Sequence, residues 1–246
     1  MHQVVVLAGG KGTRMQSETP KVLTPVNGVP IIERLLAEVT KIVSKPVVVV
    51  GYKGDEVKAA LGERCEYAYQ AEQLGTGHAL RCAQSVLAGR GYDTIVVMPG
   101  DHPLVSAETL GQLLATHTEH RAKVSLGIVS VPNYAGDYAA FAHFGRIVRD
   151  AAGMVARIVE YKDATEEERA LCEVNPSYYC FDANWLWSHM DRLTNENAAH
   201  EWYLTDMVAV ARESGGPIPT VAVVNPFEGL GVNDREQLAI IERYCA

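Results

Sequence analysis

The chain lacks any apolar run near the ~20 residues that a membrane-spanning helix needs. Its first apolar run is short, has no basic flank and leads straight into glycines, so no secretory leader is expected. Its five cysteines (Cys65, Cys82, Cys172, Cys180, Cys245) are odd in number and scattered, with no Cys-x-x-Cys pair. That argues against a disulfide framework and predicts reduced thiols in a cytoplasmic protein. Positive charge is scarce: 22 Lys and Arg stand against 30 Asp and Glu, a formal net charge of −8. No nucleic-acid or membrane partner is expected. A polyanionic ligand would have to be met locally, by placed cations, backbone N–H groups or a metal. His117 and His120 lack the glutamate of a zinc-protease helix. There is no serine or cysteine nucleophile arrangement, internal repeat or low-complexity segment.

What is present is a glycine loop. Leu7-Ala8-Gly9-Gly10-Lys11-Gly12-Thr13-Arg14-Met15 follows the apolar run Val4 to Ala8, and Pro20-Lys21-Val22-Leu23 comes just after it. Such a loop can lay backbone N–H groups against an anion, with Lys11, Arg14 and Lys21 adding charge. By itself it reads equally as a polyphosphate cradle and as a glycine-rich turn with solvated basic residues. It is not a Walker A loop, because Gly12 rather than Ser or Thr follows Lys11. Nor is it a dinucleotide fingerprint, because Met15 stands where one starting at Gly10 needs glycine.

The 246 residues suit one large α/β domain, or one with a small appendage. Apolar periodicity predicts helices over Pro30–Val43, Asp55–Leu61, Thr76–Leu87, Ser106–His117 (capped by Ser106), Thr165–Leu171, Asp182–Met190, Glu201–Ser214 and Asn233–Tyr244. Strands are expected at Val4–Ala8, Pro46–Val50, Cys65–Tyr69, Thr94–Met98, Lys123–Val131 and Pro219–Val224, with further strand-like pieces between Gly145 and Phe181. Pro132–His143 reads as an irregular loop. The early β-α-β alternation predicts a mainly parallel sheet with helices on both faces, becoming mixed later.

Ligands of open α/β sheets sit beyond the carboxyl ends of the strands. There the third strand delivers Gln70 and then Glu72-Gln73-Leu74-Gly75-Thr76-Gly77-His78. That turn suits a base and its ribose, or is simply a helix start capped by Thr76. The Thr94–Met98 strand delivers Asp101, a carboxylate for which a hard cation is the natural partner. His78 and His102 have no evident task and read as structural. Glu166-Glu167-Glu168 reads as a capped, solvated helix start, and Trp185, Trp187 and Trp202 as packing.

Together these landmarks resemble the sugar-1-phosphate nucleotidyltransferases. The similarity is strongest to the uridylyltransferase domain of the bifunctional N-acetylglucosamine-1-phosphate uridylyltransferases, without their left-handed β-helix domain. It runs nearly end to end and continues through Gly100-Asp101-His102-Pro103-Leu104, Gly145-Arg146-Ile147, Ile158-Val159-Glu160-Tyr161, Glu173-Val174-Asn175, Tyr203-Leu204-Thr205-Asp206 and Gly231-Val232-Asn233-Asp234. The fold implied is a Rossmann-like three-layer α/β domain with a mixed, mainly parallel sheet over residues 1–232. A linker-like C-terminal helix would follow over 233–246.

The resemblance implies UMP transfer from UTP to a sugar 1-phosphate, N-acetylglucosamine 1-phosphate first among them. Leu7, Ala8, Gly9 and Gly10 would hold the nucleotide by backbone contacts, Lys21 its phosphates, and Gln70, Gly75 and Thr76 the uracil. Arg14, Lys21 and Asp101 would carry catalysis, and Asp101 and Asn233 would share Mg²⁺. Gly145, Glu160, Asn175, Tyr203 and Thr205 would line the sugar pocket. The alternatives are another sugar or polyol phosphate, another nucleotide, or a non-catalytic nucleotide-sugar-binding protein. A monomer or weak dimer is expected. The departures fall on the sugar side. Asn175-Pro176-Ser177 replaces the usual Asn-Thr-Gly, Trp202 stands where tyrosine is common, and the Pro132–Phe144 loop is long and lacks the usual Pro-x-Gly-Tyr.

Overall fold

A computed structural model describes residues 1–15 and 18–245. In chain order the strands are β1 (His2–Ala8), β2 (Pro25–Val26), β3 (Val29–Pro30), β4 (Val47–Val50), β5 (Glu66–Tyr69), β6 (Thr94–Pro99), β7 (Val124–Ser130), β8 (Arg146–Arg149), β9 (Val155–Val159), β10 (Glu173–Val174), β11 (Tyr179–Asp182) and β12 (Thr220–Ala222). The helices are α1 (Ile31–Val39), α2 (Gly54–Leu61), α3 (Thr76–Leu87), α4 (Ala107–His120), α5 (Glu166–Arg169), α6 (Ala183–His189), α7 (Asp206–Glu213) and α8 (Arg235–Tyr244).

One mixed sheet runs in the order β5-β4-β1-β6-β11-β7-β10-β8-β9, with β12 alongside β7 and with β2 and β3 forming a separate hairpin. β5, β4, β1 and β6 are parallel. β11 reverses against both β6 and β7. The parallel half is legible from its side chains. β-Branched runs such as Val47–Val50 are buried on both faces, as strands between two helical layers must be. Alternation along β1 then sorts the core. Val4, Val6 and Ala8 pack with Ile31, Leu35, Val57, Leu110 and Ile241 of α1, α2, α4 and α8. Val5 packs on the opposite face with Leu80, Leu186 and Met207 of α3, α6 and α7. The three layers are therefore as expected, and no described helix is long and apolar enough to cross a membrane.

Three local expectations need correction. Residues 132–143 are not wholly irregular: Gly136–Phe141 forms a 3-10 helix. It is anchored by Phe141, which is fully buried, and by the Arg146 guanidinium, which donates to the carbonyls of Ala142 (2.7 Å) and Phe144. α1 stops at Val39, and Thr40 caps it by donating its N–H to the Leu36 carbonyl at 2.9 Å. The largest correction is at α7, which begins at Asp206 rather than Glu201. The chain before it is not helical because its backbone bonds elsewhere. Trp202 N–H donates to the Leu74 carbonyl (2.9 Å), and the Trp202 carbonyl accepts from Gly77 N–H (2.8 Å). The apolar spacing of 201–214 could not reveal those partners.

Candidate active site

The carboxyl ends of β1, β5 and β6 open into a cleft of about 430 Å³. One wall holds Leu7, Ala8, Gly9, Gly10, Lys21, Gln70, Gly75, Thr76 and Asp101. The facing wall holds Gly145, Glu160, Asn175 and Thr205. Of the expected site residues, Arg14, Tyr203 and Asn233 are not in this lining. Asn233 nevertheless touches a residue that is. Tyr203 is half-buried, and burial together with Asp163, Glu160, Glu201 and Asp206 pushes its phenol up to about 12. Arg14 is exposed on the Thr13–Met15 turn.

The glycine wall is held by side chains behind it. Gln70 is 4% exposed and donates from Nε2 to the Gly75 carbonyl (3.1 Å) and to His78 Nδ1 (3.2 Å). His78, in the first turn of α3, thus fixes the Gln70 amide at the cleft, in keeping with the structural role expected of it. A Cβ on Gly9 would lie 2.8 Å from Gln70 Oε1, whereas one on Gly10 would meet nothing. Packing therefore does not require glycine at 10, and the space there faces the cleft.

Gly75, not Thr76, is the N-cap of α3, so that capping expectation is corrected. Thr76 Oγ1 instead accepts from Leu204 N–H (3.0 Å), tying the two walls together. Gly75 has φ +107°, and a Cβ there would lie 2.6 Å from the Trp202 carbonyl. Backbone strain and clash act together at this position. Gly75→Ala is expected to cost at least about 2 kcal/mol in a urea melt. An unchanged melt would mean that the turn relaxes freely.

Between the walls Lys21 meets an acid and an amide. Lys21 follows Pro20 on the short 3-10 helix Lys21–Leu23. Its Nζ donates to Asp101 Oδ2 and to Asn233 Oδ1 (2.9 Å). Asp101 is 8% exposed. Burial is the largest influence and works to raise its pKa, but the charge and hydrogen bond of Lys21, with His102 and a backbone N–H, together hold the carboxyl below its ordinary value. Asn233 is brought in by the Val232 N–H, which donates to the Asp101 carbonyl at 3.0 Å. Asp234, next along, is the N-cap of α8. Two oxygens, one on buried Asp101 and one on half-buried Asn233, converge on one positive charge, a donor set that a hard divalent cation could use. Among the described residues no three of His, Cys, Asp and Glu cluster, so such a cation would rest on few protein ligands.

The facing wall is acidic. Burial pushes the Glu160 carboxyl up to about 7, and Asp206, Asp163 and Glu201 add to the rise. The nearby Thr205 hydroxyl works the other way. That hydroxyl is buried and meets hydrogen-bond geometry with no protein group among the described residues. Asn175 Nδ2 donates to Tyr179 Oη (2.7 Å), and its Oδ1 accepts from Ser177 N–H (2.9 Å). Ser177 holds φ +63°, the left-handed backbone usually left to glycine. Pro176 fills the contact with Gly229, where a glycine Cβ would come within 2.9 Å of it. The departure read in the sequence is thus a rebuilt corner. Ser177 and Phe144, flagged only as departures on this side, line the cleft there, as does Tyr179, which carried no sequence signal for doing so.

The cations expected beside the loop divide. Lys21 enters the cleft, while Lys11 is exposed and its Nζ lies 5.5 Å from the centre of the Tyr52 ring. The five cysteines are free thiols.

Comparison with known proteins agrees with this geometry. The bifunctional protein GlmU of Bacillus licheniformis is 43% identical over 241 residues, 98% of this chain and 51% of its own. The GlmU proteins of Bacillus subtilis and Brevibacillus brevis are 43% and 44% identical over the same length, 51% and 50% of their chains. The chain therefore spans about half the length of the curated relatives it matches. Residues 4–210 match the family model of the MobA-like NTP transferase domain, and that match takes in both walls up to Thr205. The chain belongs to the MobA-like NTP transferase domain family.

Proposed function

We propose that this chain transfers UMP from UTP to a sugar 1-phosphate, N-acetylglucosamine 1-phosphate first among acceptors, releasing pyrophosphate. The carrying observation is one cleft with a glycine-backbone wall, an acidic hydroxyl-reading wall, and the Lys21–Asp101–Asn233 set between them. That order suits a nucleotide on one side, an acceptor on the other, and cations where their phosphates meet. The GlmU relatives and the NTP transferase family support the same reading.

A sugar phosphate is already ionised near neutral pH, so no general base is needed. The chain's task is to align the acceptor oxygen with the α-phosphorus and to offset converging negative charge. Gly9 and Gly10 leave room for the phosphates to reach the backbone. Gln70, fixed by His78, faces the base. Lys21 holds charge at the phosphates, and Arg14 meets the charge that gathers as pyrophosphate leaves. Asp101 and Asn233 would hold a divalent cation, Mg²⁺ by its preference for one or two protein oxygens. When bound, it would neutralise phosphate oxygens as a Lewis acid. Thr205 and Glu160 would take sugar hydroxyls.

The assay is pyrophosphate release with Mg²⁺, each of the four common NTPs and a panel of sugar 1-phosphates. Turnover confined to UTP with N-acetylglucosamine 1-phosphate is expected. Turnover only with another sugar phosphate would replace the acceptor, and nucleotide binding without turnover on any would leave a binding protein.

Glu160 gives a pH signature. Above about 7 it is a carboxylate that accepts a sugar hydroxyl, and below that it is protonated. The acceptor KM is expected to fall as pH rises from 6 to 8, with the UTP KM little changed. Glu160→Gln removes that dependence and leaves the phosphate's own titration. An identical profile in the variant would refute the role.

A further inference from the structure

His102 follows Asp101 directly, lines the cleft and is 5% exposed. Its two ring nitrogens can be told apart by following the protons around them. Tyr178 Oη has one proton, and it lies 2.5 Å from the Glu228 carbonyl, which can only accept. That proton is therefore committed to the carbonyl. Tyr178 Oη also lies 2.9 Å from His102 Nδ1. With its proton spent, the phenol must accept there, so Nδ1 carries the imidazole proton. The other nitrogen, Nε2, then presents a lone pair.

The frame that sets this tautomer is well tied. Glu228 Oε2 accepts from Ser106 N–H (3.1 Å), Ser106 Oγ (2.8 Å) and Thr109 Oγ1 (2.7 Å) at the start of α4. This fixes the loop whose carbonyl takes the Tyr178 proton. The Tyr178 ring packs edge-on against His102 at 5.4 Å.

The freed lone pair faces the cation site. His102 Nε2 lies 3.6 Å from Asp101 Oδ1. A lone pair beside a carboxylate is unfavourable unless positive charge stands near both, and Lys21 supplies that charge here. Across from them, a Cβ on Gly231 would come 2.8 Å from His102 Nε2 and 2.9 Å from Asp101 Oδ2. Only glycine at 231 lets the main chain pass this close to both side chains and leaves them where they stand side by side.

We propose that His102 Nε2 is a third protein donor to the divalent cation held by Asp101 and Asn233, making this a mixed nitrogen and oxygen site. The inference rests on the metal-assisted reading above. Its consequence is a preference. Imidazole strengthens binding of later first-row metals far more than of Mg²⁺. The site should therefore take Co²⁺ in preference to Mg²⁺ by a margin that His102 sets. Tyr178 acts as a positioning residue, holding the proton on Nδ1 as outer-shell partners of metal-bound histidines do.

The test uses Mn²⁺ with pyrophosphate and the full chain labelled with ¹⁵N-histidine. Pulsed EPR should show a ¹⁵N coupling of directly bound imidazole in the wild type and none in His102→Leu. Displacement of Mn²⁺ should show that His102→Leu loses about tenfold or more in Co²⁺ affinity, with the Mg²⁺ affinity changed less than Co²⁺. Tyr178→Phe, which keeps the imidazole but frees its proton, should weaken the coupling and lower the Co²⁺ to Mg²⁺ ratio. It also guards against misfolding of the leucine variant. Mn²⁺ bound without histidine coupling, or an unchanged ratio in both variants, overturns the proposal and leaves the proposed function standing. No Mn²⁺ bound to the wild type contradicts both.

Discussion

Asp101→Ala is expected to lower metal-dependent turnover by about 10³-fold or more, because it removes the carboxylate that meets Lys21 between the two walls. What remains is neutral, the Asn233 amide and an imidazole, and without the carboxylate charge it cannot hold Mg²⁺ against water. The fold should survive. The main-chain carbonyl of Asp101 keeps its bond to Val232 N–H at 3.0 Å, so the Gly231–Asn233 loop stays in place. Lys21 loses its counter-charge, but its side chain lines an open cleft and can turn to water. Far-UV circular dichroism and a cooperative melt check the fold, and pyrophosphate release checks the chemistry. Full activity in this variant would remove Asp101 from the metal site.

Arg14→Ala should act differently. Arg14 is exposed and outside the cleft lining, so it has little to offer ground-state UTP binding. Its proposed partner is charge that appears only as pyrophosphate departs. An interaction made only in the transition state lowers kcat and kcat/KM together. The expected loss in kcat is about 10²-fold, with the UTP KM within about threefold of the wild type. Equal loss in kcat and in UTP affinity measured by calorimetry would make Arg14 a ground-state binder instead.

The difference between these residues shows what was legible. The parallel half of the fold could be read because its strands are apolar on both faces and its helices are amphipathic. Thr76–Leu87 was predicted to the residue. Asp101 could be read because a carboxylate at the end of a buried strand needs a partner, and the structure supplies Lys21. The non-helical segment 201–205 could not, since what holds it out of the helix is hydrogen bonding to Leu74, Thr76 and Gly77, more than a hundred residues earlier. The same reason hid the partners of His78 and His102. An imidazole's task is set by its hydrogen-bond partners. For His102 these are Tyr178 and, through it, the carbonyl of Glu228, which no spacing connects to it. Ser177 is a third kind of case. The Pro176-Ser177 departure was visible, but not that a serine would take a left-handed backbone at the cleft.

The most direct measurement follows the label. With UTP carrying ³²P at the α-position and N-acetylglucosamine 1-phosphate as acceptor, the label should appear in a nucleotide-linked sugar. With ³²P at the γ-position it should appear in pyrophosphate alone. Label from the γ-position on the sugar phosphate would mean phosphoryl rather than nucleotidyl transfer, and would contradict the account.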